Sequence, residues 1–195
     1  MSRKVALIGS ATSTSADAPY GDDEWEIWGM VYDASLERLS VGWEIHRDWQ
    51  TAGEYPNCAP GRDTPEARVD YINFLDVPVY FLEAQPDIPN ALIYPLEDVA
   101  RDTGVPLNAD GTGGYFESTI GYQLALLVRM VKNGEDIDMV GLWGIDLMTG
   151  SEYAYQRPNA EYFIGMLRGL GVKVYIPKRS ALLSSEFTEP PYRYE

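Results

Sequence analysis

Along this chain, short unbroken apolar runs alternate with stretches whose apolar residues recur at helical spacing, a pattern that predicts strands and helices in turn. Val5 to Ile8 is one such run, closed by Gly9-Ser10, as in a parallel strand buried on both faces and feeding a tight turn. Trp25 to Gly29 and Val41 to Ile45 alternate large apolar with polar residues, which predicts the second and third strands. Val79 to Leu82, Ile137 to Trp143 and Val172 to Ile176 complete the set. Tyr32 to Leu39 has the length of a short helix, and Thr64-Pro65-Glu66 sets a capping hydroxyl ahead of proline, opening a helix to about Phe74. Ile120, Leu124, Leu127, Val128 and Val131 share one helical face, with Ser118 or Thr119 at the start and Asn133-Gly134 at the stop. Ala160 to Leu170 reads as the last helix, closed by Gly169 and Gly171. Glu83 to Gly114 carries Pro86, Pro89, Pro95 and Pro106 and the cluster Gly111, Gly113 and Gly114, so it reads as irregular and is expected to wrap the ligand face.

This alternation points to an α/β fold: one domain over residues 1–185 with a mostly parallel sheet and helices on both faces, then a loosely held tail over 186–195. A chain of 195 residues with 45% hydrophobic content closes one core. Composition narrows the partners. No apolar run approaches the length of a membrane span, and the basic start Met1-Ser2-Arg3-Lys4 precedes a run too short for a signal-peptide core. One cysteine, Cys58, and one histidine make neither an internal disulfide nor a structural zinc cluster, which fits a reducing cytoplasm. With 15 basic against 30 acidic residues the formal charge is −15, a surface that repels nucleic acid and anionic lipid. Solubility alone also accounts for that excess. A small phosphorylated ligand stays open, because backbone amides at a helix N-terminus bind phosphate whatever the net charge. Five tryptophans can build a core or an exposed patch, so homo-oligomerisation is open as well.

Four segments can carry chemistry. After the first strand, Gly9 is followed by the small hydroxyl residues Ser10 and Thr12 where a helix is expected to begin, and ligands in parallel sheets sit at such strand ends. The segment is neither a complete dinucleotide fingerprint nor a Walker loop, and an ordinary turn is the alternative. Ser118 and Thr119 stand at the start of the clearest helix, suited to an anion or a base edge or simply to capping. Gly144-Ile145-Asp146 closes a buried strand ahead of Glu152, Tyr153 and Arg157. Asp146 there can hold a metal-phosphate complex, a ligand hydroxyl or a proton, and Arg157 can grip a phosphate; the alternative is a capping Asp146 and a surface pair of Glu152 with Arg157. His46, at the end of the third strand, is the one side chain that titrates near neutrality. Cys58, with no histidine near it in sequence, is not read as a nucleophile.

The glycine-serine turn, the Ser/Thr-initiated helix, and Gly144-Ile145-Asp146 ahead of Ser151-Glu152-Tyr153-Ala154-Tyr155 together resemble the bacterial sialyltransferases that modify lipooligosaccharide. The likeness continues through Tyr162 to Gly165, Val174 to Pro177 and Ser180 to Leu183, and is thin from about Pro56 to Asn108. A similar Gly-x-Asp strand end occurs in the 6-hydroxymethylpterin diphosphokinase family and in flagellin glycosylation factors, and uncharacterised phage proteins are similar too. The resemblance implies a Rossmann-like fold and a nucleotide or nucleotide-sugar ligand. It puts Gly9, Ser10 and Thr12 at the phosphates, Ser118 and Thr119 at the base or ribose, Tyr153 at the phosphate or leaving group, and Asp146 at the ribose or a metal such as Mg2+, with no organic cofactor. Two departures stand out. Met166 follows the segment where sialyltransferases carry a histidine base, so either His46 or a carboxylate such as Glu152 substitutes, or the protein does different chemistry. Their asparagine after strand two has Asp33 as its nearest polar counterpart here. The expectation is a transferase moving a glycosyl or pyrophosphoryl group, with a non-catalytic nucleotide-holding protein, or a phage accessory protein without turnover, as the rival.

Overall fold

The structure, a computed structural model, describes residues 2–33, 36–47, 49, 64–148 and 150–183, without the side chains of 150–152 and 154. Its strands are β1 (Arg3–Ile8), β2 (Trp25–Met30), β3 (Val41–Glu44), β4 (Val79–Phe81), β5 (Ala91–Ile93), β6 (Ile137–Trp143) and β7 (Lys173–Tyr175). The described helices are α1 (Pro65–Leu75), α2 (Leu96–Thr103), α3 (Thr119–Lys132) and α4 (Gly150–Gly169). All seven strands run parallel in one sheet, ordered β5-β4-β3-β2-β1-β6-β7. The chain therefore builds outward from β1 through β2 to β5, then crosses back to lay β6 on the other side of β1. That reversal is a topological switch point, and its crevice lies at the carboxyl ends of β1 and β6.

Strand alternation divides the core in two. On one face Val5, Leu7, Trp28, Trp43, Val140 and Leu142 pack against Val99 and Ala100 of α2, the apolar residues of α3 from Ile120 to Val131, and Ala160, Phe163, Ile164 and Leu167 of α4. α3 holds this layer together because it is apolar almost all round; Ser118 caps it, its hydroxyl accepting from Gly121 N at 3.1 Å, and the left-handed Gly134 ends it. On the other face α1 covers Val79 and Phe81 with Ile72. Beyond α1 that face is closed by side chains: Ala6, Ile8 and Ile27 lie under Trp143, Trp25, Tyr20 and Leu36. Room for this comes from small residues in the strands, since Leu36 overlies Gly29, Val31 overlies Gly42, and the Trp143 ring lies across Gly141.

Three expectations need correction. The stretch from Glu83 to Gly114 is not wholly irregular: it contains β5 and α2, and Val99, Ala100 and Thr103 of α2 are buried. Tyr32 to Leu39 forms no helix among its described residues. Val31, Leu36 and Leu39 instead spread over the sheet, and turn bonds such as Leu36 N to Asp33 O at 3.3 Å replace helical ones. The last helix begins at Gly150, ahead of the expected Ala160, and carries Pro158 inside it. Its early turns bury the polar Gln156 and Asn159, so no apolar period marks them. Cys58 and the tail over 186–195 lie outside the described residues. Among those described, no helix is long and apolar enough to cross a membrane.

Candidate functional site

The switch point is built from two glycines in contact. Gly9 N donates to Trp143 O and Ala11 N to Gly144 O, both at 2.9 Å, which stitches the end of β1 to the end of β6. A Cβ on Gly9 would stand 2.5 Å from Gly144 O, and one on Gly144 would run into Gly9 O. Gly144 is also left-handed, with φ of 64°. Thr14, wholly buried, accepts from Gly144 N at 2.8 Å, so its hydroxyl belongs to the junction. These contacts correct one expectation: no α-helix follows β1, only a single 3-10 turn at Ser15–Asp17, so the dipole of a long helix does not face the Gly9-Ser10 turn.

Above the glycines opens a cleft of about 770 Å³. Gly9, Ser10 and Thr12 line it after β1, Ile45 and His46 after β3, and Glu117, Ser118 and Thr119 at the start of α3. Asp146, Tyr153 and Gln156 close the β6 side, while Phe116, Ile120, Tyr122 and Met148 supply apolar wall. One cleft thus joins eight of the expected residues. Two of the other three stand elsewhere. Asp33 is buried off the cleft near Tyr20, whose hydroxyl is pushed up to about 12 by burial and by the charges of Asp33 and Glu37. Arg157 pairs with Glu161 one helical turn on, Nε to Oε1 at 2.7 Å, and does not line the cleft. The side chain of Glu152 lies outside those described.

Comparison with protein-family models, with curated proteins and with solved structures gives no match to this chain. The site is therefore read from its own geometry.

His46 is half-exposed on the rim, and Glu44 beneath it is almost completely buried. One carboxylate oxygen, Glu44 Oε1, receives both His46 N at 2.9 Å and His46 Nδ1 at 2.6 Å. Donation from Nδ1–H to a buried carboxylate orients the ring and makes Nε2 the basic nitrogen. Across the cleft, Asp146 Oδ1 accepts from Ala181 N at 3.2 Å, and Oδ2 has no partner among the described residues. Ser180 reinforces that anchor by donating to Ile145 O at 2.8 Å. Leu147, next to Asp146, holds a left-handed φ of 48° that leucine adopts only where its surroundings enforce it. Burial pushes the Tyr122 hydroxyl up, which keeps it a neutral donor in the wall.

Glu117 and Asp146 give the lining two carboxylates, and no lysine or arginine is among its described residues. No group of three His, Cys, Asp or Glu side chains able to hold a metal occurs among the described residues. A divalent ion at Asp146 would draw its other ligands from a bound phosphate and water, an arrangement Mg2+ accepts. Glu44, Glu117 and Gln156 were not singled out from sequence. For Glu44 the signal existed, since residues two apart in a strand share a face and Glu44 stands two before His46.

Proposed function

We propose that the chain is a small glycosyl transferase that takes a nucleotide sugar into the switch-point cleft and uses His46 as its proton carrier. The observation carrying this reading is the Glu44–His46 pair, a base oriented by a buried carboxylate on the rim of the fold's ligand crevice. In the transfer, His46 Nε2 takes the proton of the acceptor hydroxyl as its oxygen bonds to the anomeric carbon. The bond from that carbon to the phosphate oxygen breaks, and the nucleotide leaves with the electron pair. Positive charge develops on the sugar ring in such a transition state, and a wall bearing Glu117 and Asp146, with no lysine or arginine among its described residues, favours it. Pyrophosphoryl transfer gathers negative charge and calls for cations that the described lining lacks, so glycosyl transfer is preferred. Thr119 and the amides at the start of α3 would meet the nucleotide phosphate, and Asp146 would hold Mg2+ where the donor carries a diphosphate.

Cytidine, uridine, adenine and guanine nucleotide sugars, each with and without magnesium, are to be incubated with the protein while nucleotide release is followed. One donor is expected to turn over. His46→Asn should lower kcat by about 100-fold or more while changing the donor Kd less than about threefold. Saturable donor binding with no product from any sugar would reassign the cleft to a protein that holds nucleotide ligands without turnover.

A further inference from the structure

A second cavity, of about 480 Å³, runs along the outer side of β7. Arg168, at the end of α4, and Lys178, beyond β7, line it together with Val174, Tyr175 and Leu183. Cations elsewhere are spoken for: Arg3 by Glu26 and Glu135, Lys4 by Glu24, Arg38 by Asp23, Arg47 by Glu83, Arg101 by Asp98, Lys173 by Asp138 and Arg179 by Asp17. Arg129 meets Asp98 and Asp102, Arg157 meets Glu161, and Lys132 and Arg68 meet backbone carbonyls. Arg168 and Lys178 are the two described Lys or Arg residues with no hydrogen bond or ion pair to a described residue, and they share one groove. In a chain with twice as many acids as bases, two cations in one groove with no carboxylate partner among the described residues point to an anion from outside.

The rest of the groove gives the ligand's other half. Tyr175 exposes about half its surface (48%), and Leu183 is also exposed and holds a left-handed φ of 59°. Val174 and Ile176 also line the cavity. We propose that this groove binds a small amphipathic anion, a phosphate or carboxylate group on a flat apolar body, with the charge at Arg168 and Lys178 and the body against Tyr175. The site is separate from the cleft and does not depend on the transferase reading.

Phenyl phosphate is the probe, titrated into the full chain by calorimetry and by tryptophan emission, since the Trp143 ring lies 5.3 Å from that of Tyr175. Saturable binding that weakens with added salt is expected. The double variant Arg168→Gln/Lys178→Gln should weaken it at least about tenfold, whereas Lys4→Gln/Arg101→Gln, the same charge change elsewhere, should leave it within about twofold. Both pairs are exposed enough to be replaced without disturbing the core. No saturable signal at millimolar probe, equal losses in the two double variants, or equally tight binding of benzyl alcohol would each overturn the proposal. Loss of binding in His46→Asn would also overturn it, by moving the ligand to the cleft.

Discussion

The two faces of the sheet solve the same burial problem with different means. One carries three helices in a layer centred on α3; the other carries α1 and then rings and loops laid directly on the strands. A helix buries a strand with many modest contacts, so no one side chain dominates. On the opposite face Trp143 alone covers Gly141 and meets Trp25 edge-on at 5.3 Å. Burial there is concentrated in few residues, and stability should be more brittle.

The sharpest way to break the comparison is to remove that ring. Trp143→Ala should cost about 4 kcal/mol, against about 3 for Leu127→Ala under the helices, both read from urea unfolding. A cost for Trp143→Ala below that of Leu127→Ala would show that the loop-covered face repacks easily and is not brittle. Gly144→Ala tests the junction beneath the cleft, where a methyl group meets Gly9 O and the backbone is left-handed. It should cost about 2–3 kcal/mol and narrow or close the cleft, so donor binding should fall with it. Unchanged stability would mean that the two strand ends can separate at little cost.

The smallest effect sits at the amino end of the helix-covered face, where Arg3 Nε and Nη2 grip both carboxylate oxygens of Glu26 at 2.7 and 2.8 Å. The Arg3 hydrogen bond holds the Glu26 carboxyl below its ordinary value of 4.5, against the opposing effect of burial. A lowered folded-state value means that the stabilisation is complete above about pH 4.5 and is lost as the pH falls through the folded value. Both side chains are about one-third exposed (31% and 32%), so screening limits the pair to roughly 1 kcal/mol. Glu26→Gln should therefore lower the urea midpoint more at pH 7 than at pH 3. An equal loss at both values would assign the effect to packing against Trp28.

What the sequence revealed follows the same division. α3 and β6 were legible because their apolar patterns are long and unbroken, and Ser118 and Gly134 mark the ends of α3. β5 has three residues between Asn90 and Tyr94, too few for any period, and α2 is eight residues opening after Pro95, so both passed as loop. The expected helix over Tyr32 to Leu39 failed because those apolar residues lie over strand glycines, a use that no local propensity encodes. In the site, the strand-end residues were legible because a parallel sheet gathers them at one edge; Asp33 and Arg157 lie beside that edge without facing its crevice. The cap role considered for Ser118 holds, and Arg157 pairs with Glu161.

Ser180 and Ala181 form a partition between the groove and the cleft. Ser180 lines the basic groove, and Ala181 donates the amide that anchors Asp146 in the cleft. Any occupant of the groove that shifts this partition also shifts the donor to Asp146. Thermodynamic linkage then requires reciprocity: whatever factor a groove ligand imposes on affinity in the cleft, a cleft ligand imposes on affinity in the groove.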